Sequence, residues 1–455
     1  MIEIIWRQED IKEVNEEMGR KELRIEYSDR GISAWGGMKL MKDLVDKTGI
    51  KGHMSTLDLP KPGSNRGYAP MDIIESFWVS IWIGASRFTH SSWLRYDTVL
   101  KEIFDWRDAP SQSTYSRFFN RFSWKRNNEV FPELQKWFFE QLHFDNMTLD
   151  LDSSVMTRYG EQEGAKVGYN PKKPGRASHH PLIAFMAEMR MVVNAWMRPG
   201  NTVSLSNCQA FLEETFGILA NKKIGLVRAD SGFFSNEYMK YFEGKKINFI
   251  TAAKFYKPVK REVLYDKKWI GIKDGLEITE WMYRLPGWSR ERRMIAVRKR
   301  LDKYPKASGK LLFLEGMNER YRYSVFVTNL DLPAQHIWNL YKDRADAENR
   351  IKELKYDFGA DNFCLKHFFA TEAAFRFIMV AYNLLSLFRQ IILREKRQST
   401  LRTLRFKCFA LGAWITERSR QKTLKISLAQ KRRPWLDGLF DITHSIYPPY
   451  SNPNA

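Results

Sequence analysis

The sequence predicts an α/β fold with a helical N-terminal region, and three observations carry that expectation. Through residue 145, apolar residues recur every three or four positions, as on a helix face. From residue 147, the stretch MTLDLDSSVMT alternates, as a strand does. From there to residue 254, the segments read as three strands, a helix, a strand, a helix and a strand.

The first residues, MIEIIWRQEDIKEVNEE, are acidic and broken by charge, so no secretory signal is expected. KLMKDLVDKTGI, MDIIESFWVSIWIGASRF and EVFPELQKWFFEQLHF carry helical spacing. Between the last two, Ala109-Pro110-Ser111 marks a turn, and Ser111 or Ser113 can cap the helix that follows. That helix carries Gln112, Tyr115, Ser116, Arg117, Asn120 and Arg121. It reads either as the base-reading helix of a helix-turn-helix or as an ordinary amphipathic helix with a charged face. Residues 1–145 are accordingly read as a helical DNA-binding domain.

HPLIAFMAEMRMVVNAWMRPGN reads as two strands joined near Glu188 to Arg190. SNCQAFLEETFGILANK is a helix, KKIGLVRADSGF a strand entering a turn, SNEYMKYFEGKK a helix and INFITAAKF a strand. This order is that of a ribonuclease-H-like core, whose first part spans 146–254. Residues 255–325 break the alternation with short strands, GKLLFLEG among them, separated by Gly and Pro turns, and read as a β-rich insertion. The second part of the core, 326–393, opens on a strand and continues into AQHIWNLYKDRADAENRIKELKYDF, read as one long helix. Ala374 to Leu393 is apolar enough to suggest a membrane span. Arg376, Asn383, Arg389 and Gln390 interrupt it, so it is read as a buried core helix and no membrane is expected. Residues 394–455 form a basic C-terminal region. Its stretch 394–433 holds 13 Lys or Arg against Glu395 and Glu417, and reads as a solvated basic helix or as a phosphate-contacting surface.

Composition narrows the function. Of 455 residues, 44% are hydrophobic, which excludes a disordered chain. Lys and Arg number 74 against 53 Asp and Glu, a net charge of +21 that favours a polyanionic partner, nucleic acid being the commonest. Cys208, Cys364 and Cys408 lie far apart, which excludes a disulfide framework and a cysteine-rich zinc site and fits a reducing cytosol.

Three segments carry chemistry. In MTLDLDSS, strand alternation sends Leu149 and Leu151 one way and Asp150 and Asp152 the other. Two carboxylates on one strand face repel each other, and a cation relieves that repulsion. In GLVRADSGF, an apolar strand ends at Asp230 followed by Ser231 and Gly232, a place for a metal ligand or equally for a turn. In the long helix, Tyr341, Arg344, Glu348 and Lys355 fall on one stripe, with Arg344 and Glu348 four apart and able to pair.

The spacing Y-x2-R-x3-E-x6-K resembles the signature of bacterial insertion-sequence transposases, the hairpin-forming cut-and-paste DDE group. LDLDSSVMTRYGEQEGAKVGYNPKKPGRASHHPL resembles the first-aspartate block of one branch of that group. VRADSGF resembles the second-aspartate block, and AENRIKELKYDFGADNFCLKHFFATEAAFRFIMVAYNLL the C-terminal block. The resemblance runs over roughly residues 30 to 435. It implies Asp152, Asp230 and Glu348 as catalytic carboxylates holding two Mg²⁺ ions, with Mn²⁺ as a substitute and Asp150 as a second-ranked ligand. It implies Tyr341, Arg344 and Lys355 as holders of DNA phosphate near the cut. Gln112, Arg117, Asn120 and Arg121 are candidates for reading the element's end.

Two features remain. His179 and His180 lie within the first block, before Pro181, and read either as structural or as placed near scissile DNA, the structural role being favoured. Trp288 follows Pro286-Gly287 beside Arg290, Arg292 and Arg293, and reads either as an exposed surface that stacks an unpaired base or as packing for the insertion. The implied partners are double-stranded DNA, as terminal inverted repeats and as target, and a second copy of the chain. The implied location is the bacterial cytoplasm, at the nucleoid. The rival readings are a metal-dependent nuclease without strand transfer and a non-catalytic DNA-binding protein derived from a transposase.

Overall fold

A computed structural model of the chain describes residues 23 and 25–451, apart from 65–66, 145, 266, 302–320 and 396. The expectations for the first 22 residues and for a strand at GKLLFLEG lie outside the described residues.

The architecture is mixed α/β. The N-terminal region holds helices α1 (Met38–Thr48), α2 (Pro70–Ile83), α3 (Gln112–Phe119) and α4 (Trp124–Glu140), with shorter turns between them. Pro70 opens α2 at its first position, where a missing N–H costs nothing. Ser111 caps α3, its hydroxyl accepting from Thr114 N at 3.4 Å.

The main sheet has nine strands: β1 (Met147–Ser153), β2 (Leu182–Met186), β3 (Met191–Trp196), β4 (Ile224–Ala229), β5 (Asn248–Ala252), β6 (Ile270–Lys273), β7 (Leu276–Tyr283), β8 (Arg292–Arg300) and β9 (Tyr321–Thr328). Their spatial order is β6-β7-β8-β9-β5-β4-β1-β2-β3. β1 pairs parallel with β4, and β4 with β5. The other pairings are antiparallel. Helices α5 (Cys208–Leu219) and α6 (Asn236–Gly244) make the two crossovers into the parallel strands. The segment read as an insertion adds strands to the edge of this same sheet, beyond β5.

After β9 come α7 (Ala334–Lys342), α8 (Ala345–Tyr356) and α9 (Phe368–Leu387). The long helix expected over Ala334 to Phe358 is therefore two helices, broken at Asp343 and Arg344. Bonds three residues back, from Arg344 N to Tyr341 O and from Ala347 N to Arg344 O, replace the helical ladder there.

α9 is the apolar stretch that resembled a membrane span. It is the central core helix, and 89% of its apolar window is buried inside the protein. Trp78 and Trp82 of α2 donate their indole N–H groups to Phe377 O and Ala381 O. Phe77, Phe119, Phe131 and Phe377 pack as edge-on and tilted rings around it. The N-terminal helices thus share one core with the sheet. The chain changes from helices to strands between α4 and β1 without leaving that core.

Each polar side chain that interrupts α9 and its extension has a partner, as burial requires. Arg376 pairs with Glu372, and Arg389 with Glu353. Gln390 donates to Met189 O. Asn383 accepts from Val192 N at 2.7 Å and donates to Val192 O at 2.8 Å, where the pairing of β2 with β3 slips register.

The basic C-terminal region folds. Ala413–Arg418 and Gln421–Ile426 form a hairpin that pairs with Ile32–Ser33, and Arg433–Ser445 is a helix against α1. Arg405 donates to Ile81 O, Trp82 O and Asp357 O, and so closes the C-terminal end of α2. Arg418, Arg420 and Lys425 stay exposed along the hairpin.

Two outcomes are expected. Asn383→Ala strands a buried N–H and a buried C=O, and lowers unfolding free energy by about 2–4 kcal/mol in a denaturant melt. Asp150→Ala leaves the buried Arg228 guanidinium uncompensated and costs about 3–5 kcal/mol in the same melt. A change under about 1 kcal/mol in either would contradict the assigned partners.

Candidate active site

The ends of two neighbouring parallel strands build the site. β1 runs out at Asp152 and Ser153, and the adjacent β4 ends one residue before Asp230. Asp152 is 8% exposed, and its Oδ1 accepts from Ser153 N at 2.7 Å. Asp230 closes a short turn, accepting from Gly232 N at 2.9 Å. A Cβ at 232 would crowd the turn, standing 2.7 Å from Ser204 Oγ and 2.9 Å from Asp230 Oδ1.

The break between α7 and α8 supplies the third wall. Arg344 reaches from the break to Asp152 Oδ2 at 3.0 Å, to Leu151 O at 3.1 Å and to Glu348 Oε1 at 3.6 Å. Glu348, in the first turn of α8, keeps most of its side chain in solvent. Asp152, Asp230, Glu348, Arg344 and Lys355 all line one cavity of about 750 Å³.

Acidic and basic side chains line the cavity together. Burial pushes the Asp152 carboxyl up to about 7; Arg344 pulls it down, while Asp230 and Glu348 push it further up. Burial works against the charge on Arg344, but Asp152, Tyr341, Asp230 and Asp150 together outweigh it and hold the guanidinium above its ordinary range. Burial lowers Lys355 to about 8, and its ammonium donates to Val155 O at 2.7 Å. Lys172, Lys254 and Lys352 line the same cavity.

Among the described residues, no three His, Cys, Asp or Glu side chains stand close enough to hold one ion. The three carboxylates share a cavity with the Arg344 guanidinium between two of them. Their chemistry nonetheless fits a hard divalent cation: the donors are all carboxylate oxygens, and the buried one lacks full charge compensation.

Three expected site residues lie elsewhere. Asp150 is fully buried in a fork with Arg228, with contacts of 2.6 and 2.8 Å, so its oxygens are taken and it is no metal ligand. Tyr341 packs on Phe326 and turns its hydroxyl to Ala229 O at 3.4 Å. Burial lifts that hydroxyl to about 12, and the residue braces the strand before Asp230 without reaching the cavity. Trp288 is 7% exposed, packed on Phe234 under the Arg292 guanidinium, so it offers no free stacking face. Gln112, Arg117, Asn120 and Arg121 lie exposed at α3, whose other face packs through Tyr115, Phe118 and Phe119. None of the four lines the cavity.

The two histidines divide. His179 bonds Glu163 O and accepts from Arg158, and burial lowers it to about 4, so it is a neutral structural group. His180 lines the cavity, with Nδ1 at 2.8 Å from Thr202 O. A ring nitrogen facing a carbonyl carries the proton, which leaves Nε2 as an acceptor. Sequence reasoning missed the wall around Tyr169, Lys172 and Ser204. The run Tyr169-Asn170-Pro171-Lys172-Lys173-Pro174-Gly175 was its visible signal.

The family model for transposase DDE domain group 1 matches residues 15–445. No curated protein matches the chain in sequence. Among solved structures, the fold is similar to that of the piggyBac transposase, determined by cryo-EM as a synaptic complex with hairpin DNA. That likeness has 13% identity and a TM-score of 0.40, and covers 83% of this chain and 81% of that one. The chain belongs to the transposase DDE domain group 1 family: it is a DDE transposase, an enzyme that cuts DNA and transfers its strands.

Proposed function

We propose that this transposase excises a mobile element at its terminal inverted repeats and inserts it into target DNA, using Asp152, Asp230 and Glu348 as its catalytic carboxylates. The observation that carries the reading is that they line, from three separate elements, one cavity beside Arg344. β1–β5, in the order β3-β2-β1-β4-β5 with β4 and β5 parallel to β1, support a ribonuclease-H-like core.

The three carboxylates would hold Mg²⁺, as two ions, with Mn²⁺ as a substitute. When bound, the cations activate an attacking oxygen and stabilise a leaving one. The chain's own groups do the rest. Arg344 offsets the negative charge of Asp152 and Glu348. Lys172, Lys254, Lys352 and Lys355 meet phosphates at the walls. His180 Nε2 accepts a hydrogen bond from a hydroxyl in the cavity. The exposed Gln112, Arg117, Asn120 and Arg121 read the element's end.

Water attacks a phosphodiester at that end and frees a 3′-hydroxyl. The hydroxyl attacks the opposite strand to give a hairpin, which is opened before the 3′ ends attack target DNA. Two ends must be joined together, so the working form is a homodimer, acting in the bacterial cytoplasm at the nucleoid.

A plasmid carrying the element's ends tests this. With Mg²⁺, a denaturing gel over time should show nicked strand, then hairpin, then opened end. Asp152→Asn, Asp230→Asn and Glu348→Gln should each slow the first nick more than about a hundredfold. Nicking by the Asp152 variant at the wild-type rate would refute the assignment. Breaks without a hairpin would remove the hairpin pathway.

A further inference from the structure

Between β1 and β2, residues 156–179 fold into a small three-stranded sheet of Met156–Thr157, Lys166–Val167 and Ala177–His179. Its base is fixed from within. Buried Arg158 bonds Asp361 O and His179, and His179 bonds Glu163 O. Glu163 N donates to Lys366 O, and its carboxylate accepts from Phe368 N. Asn170 ties the tip down, donating to Thr157 Oγ1 and accepting from Lys173 N.

On that fixed base the outer surface is aromatic and cationic. Tyr159 is 69% exposed and Tyr169 is 67% exposed. The Lys173 ammonium lies 4.8 Å from the Tyr159 ring centroid and the Arg176 guanidinium 6.0 Å. Lys166 and Lys172 are exposed in the same segment. Of the segment's two carboxylates, Glu163 turns back to the protein body, which leaves Glu161 against four exposed cations. Tyr169 and Lys172 also line the cavity that holds Asp152, so this surface continues the cavity outward.

We infer that this small sheet is a platform for single-stranded DNA leaving the active site, stacking unpaired bases on Tyr159 and Tyr169 and placing phosphates against Lys166, Lys172, Lys173 and Arg176. Duplex DNA keeps its base faces stacked inside, so exposed rings gain from it little beyond what the lysines supply. A cut strand has free base faces, and a rigid ring presented beside the cut meets them with little ordering loss. The inference rests on the cavity being where strands are cut. It gives the stacking surface a location that buried Trp288 does not provide.

The test uses the full chain and anisotropy at fixed salt, with two labelled probes. One is oligothymidine of about twelve nucleotides, the other an arbitrary duplex of about twenty base pairs. Tyr159→Ala/Tyr169→Ala should lower the preference for oligothymidine over duplex about tenfold. Tyr159→Phe/Tyr169→Phe keeps the rings and should hold that preference within about twofold of wild type. An unchanged preference in the alanine variant would overturn the inference. So would an equal loss on both probes, a phenylalanine variant no better than alanine, or a wild-type chain that does not bind oligothymidine. Neither probe reports cutting, so failure here is distinct from failure of the carboxylate assignment.

Discussion

The fork between Arg228 and Asp150 is the constraint on which the active site's geometry depends. It joins β4 to β1 through two charge-assisted hydrogen bonds at full burial. The same guanidinium donates to Leu340 O and so fastens the end of α7 over both strands. Three residues later the chain turns, and Arg344 descends to Asp152. Breaking a buried pair leaves an unmatched charge in a medium that solvates it poorly. The fork therefore holds the relation between strand ends and helix break on which every later distance relies.

Above that fork the charges are left unequal. Asp152 is buried enough to hold a proton near neutrality, and Arg344 bridges it to Glu348. Lysines on the walls of the same cavity carry the opposite sign. Carboxylates and lysines lining one cavity suit an enzyme whose substrate is a polyanion.

Much of this was legible in the sequence, where a period or a spacing reports a local fact. Alternation placed Leu149 and Leu151 in the core, and the strand and helix order expected from 147 to 254 holds for the main sheet, with three short strands added between β1 and β2. The four-residue spacing of Arg344 and Glu348 survives the helix break as an ion pair. What failed depends on partners distant in the chain. Alternation put Asp150 on the face of Asp152, but no periodicity announces that Arg228, 78 residues on, neutralises it. Pro286-Gly287 suggested an exposed Trp288, but Phe234 covers the ring. Arg344 belonged to a helix by spacing and to a turn by its pull toward Asp152. The strands of residues 156–179 are two or three residues long, too short to show any period.

On the proposed assignment, Arg344 supplies the counter-charge which a divalent cation takes over. Calorimetric titration of the DNA-free protein with Ca²⁺ tests it most directly. Arg344→Gln removes the competing guanidinium and should tighten Ca²⁺ binding about tenfold over wild type. Asp152→Asn should weaken it about as much or more. Weaker binding in Arg344→Gln, or undiminished binding in Asp152→Asn, would contradict the account.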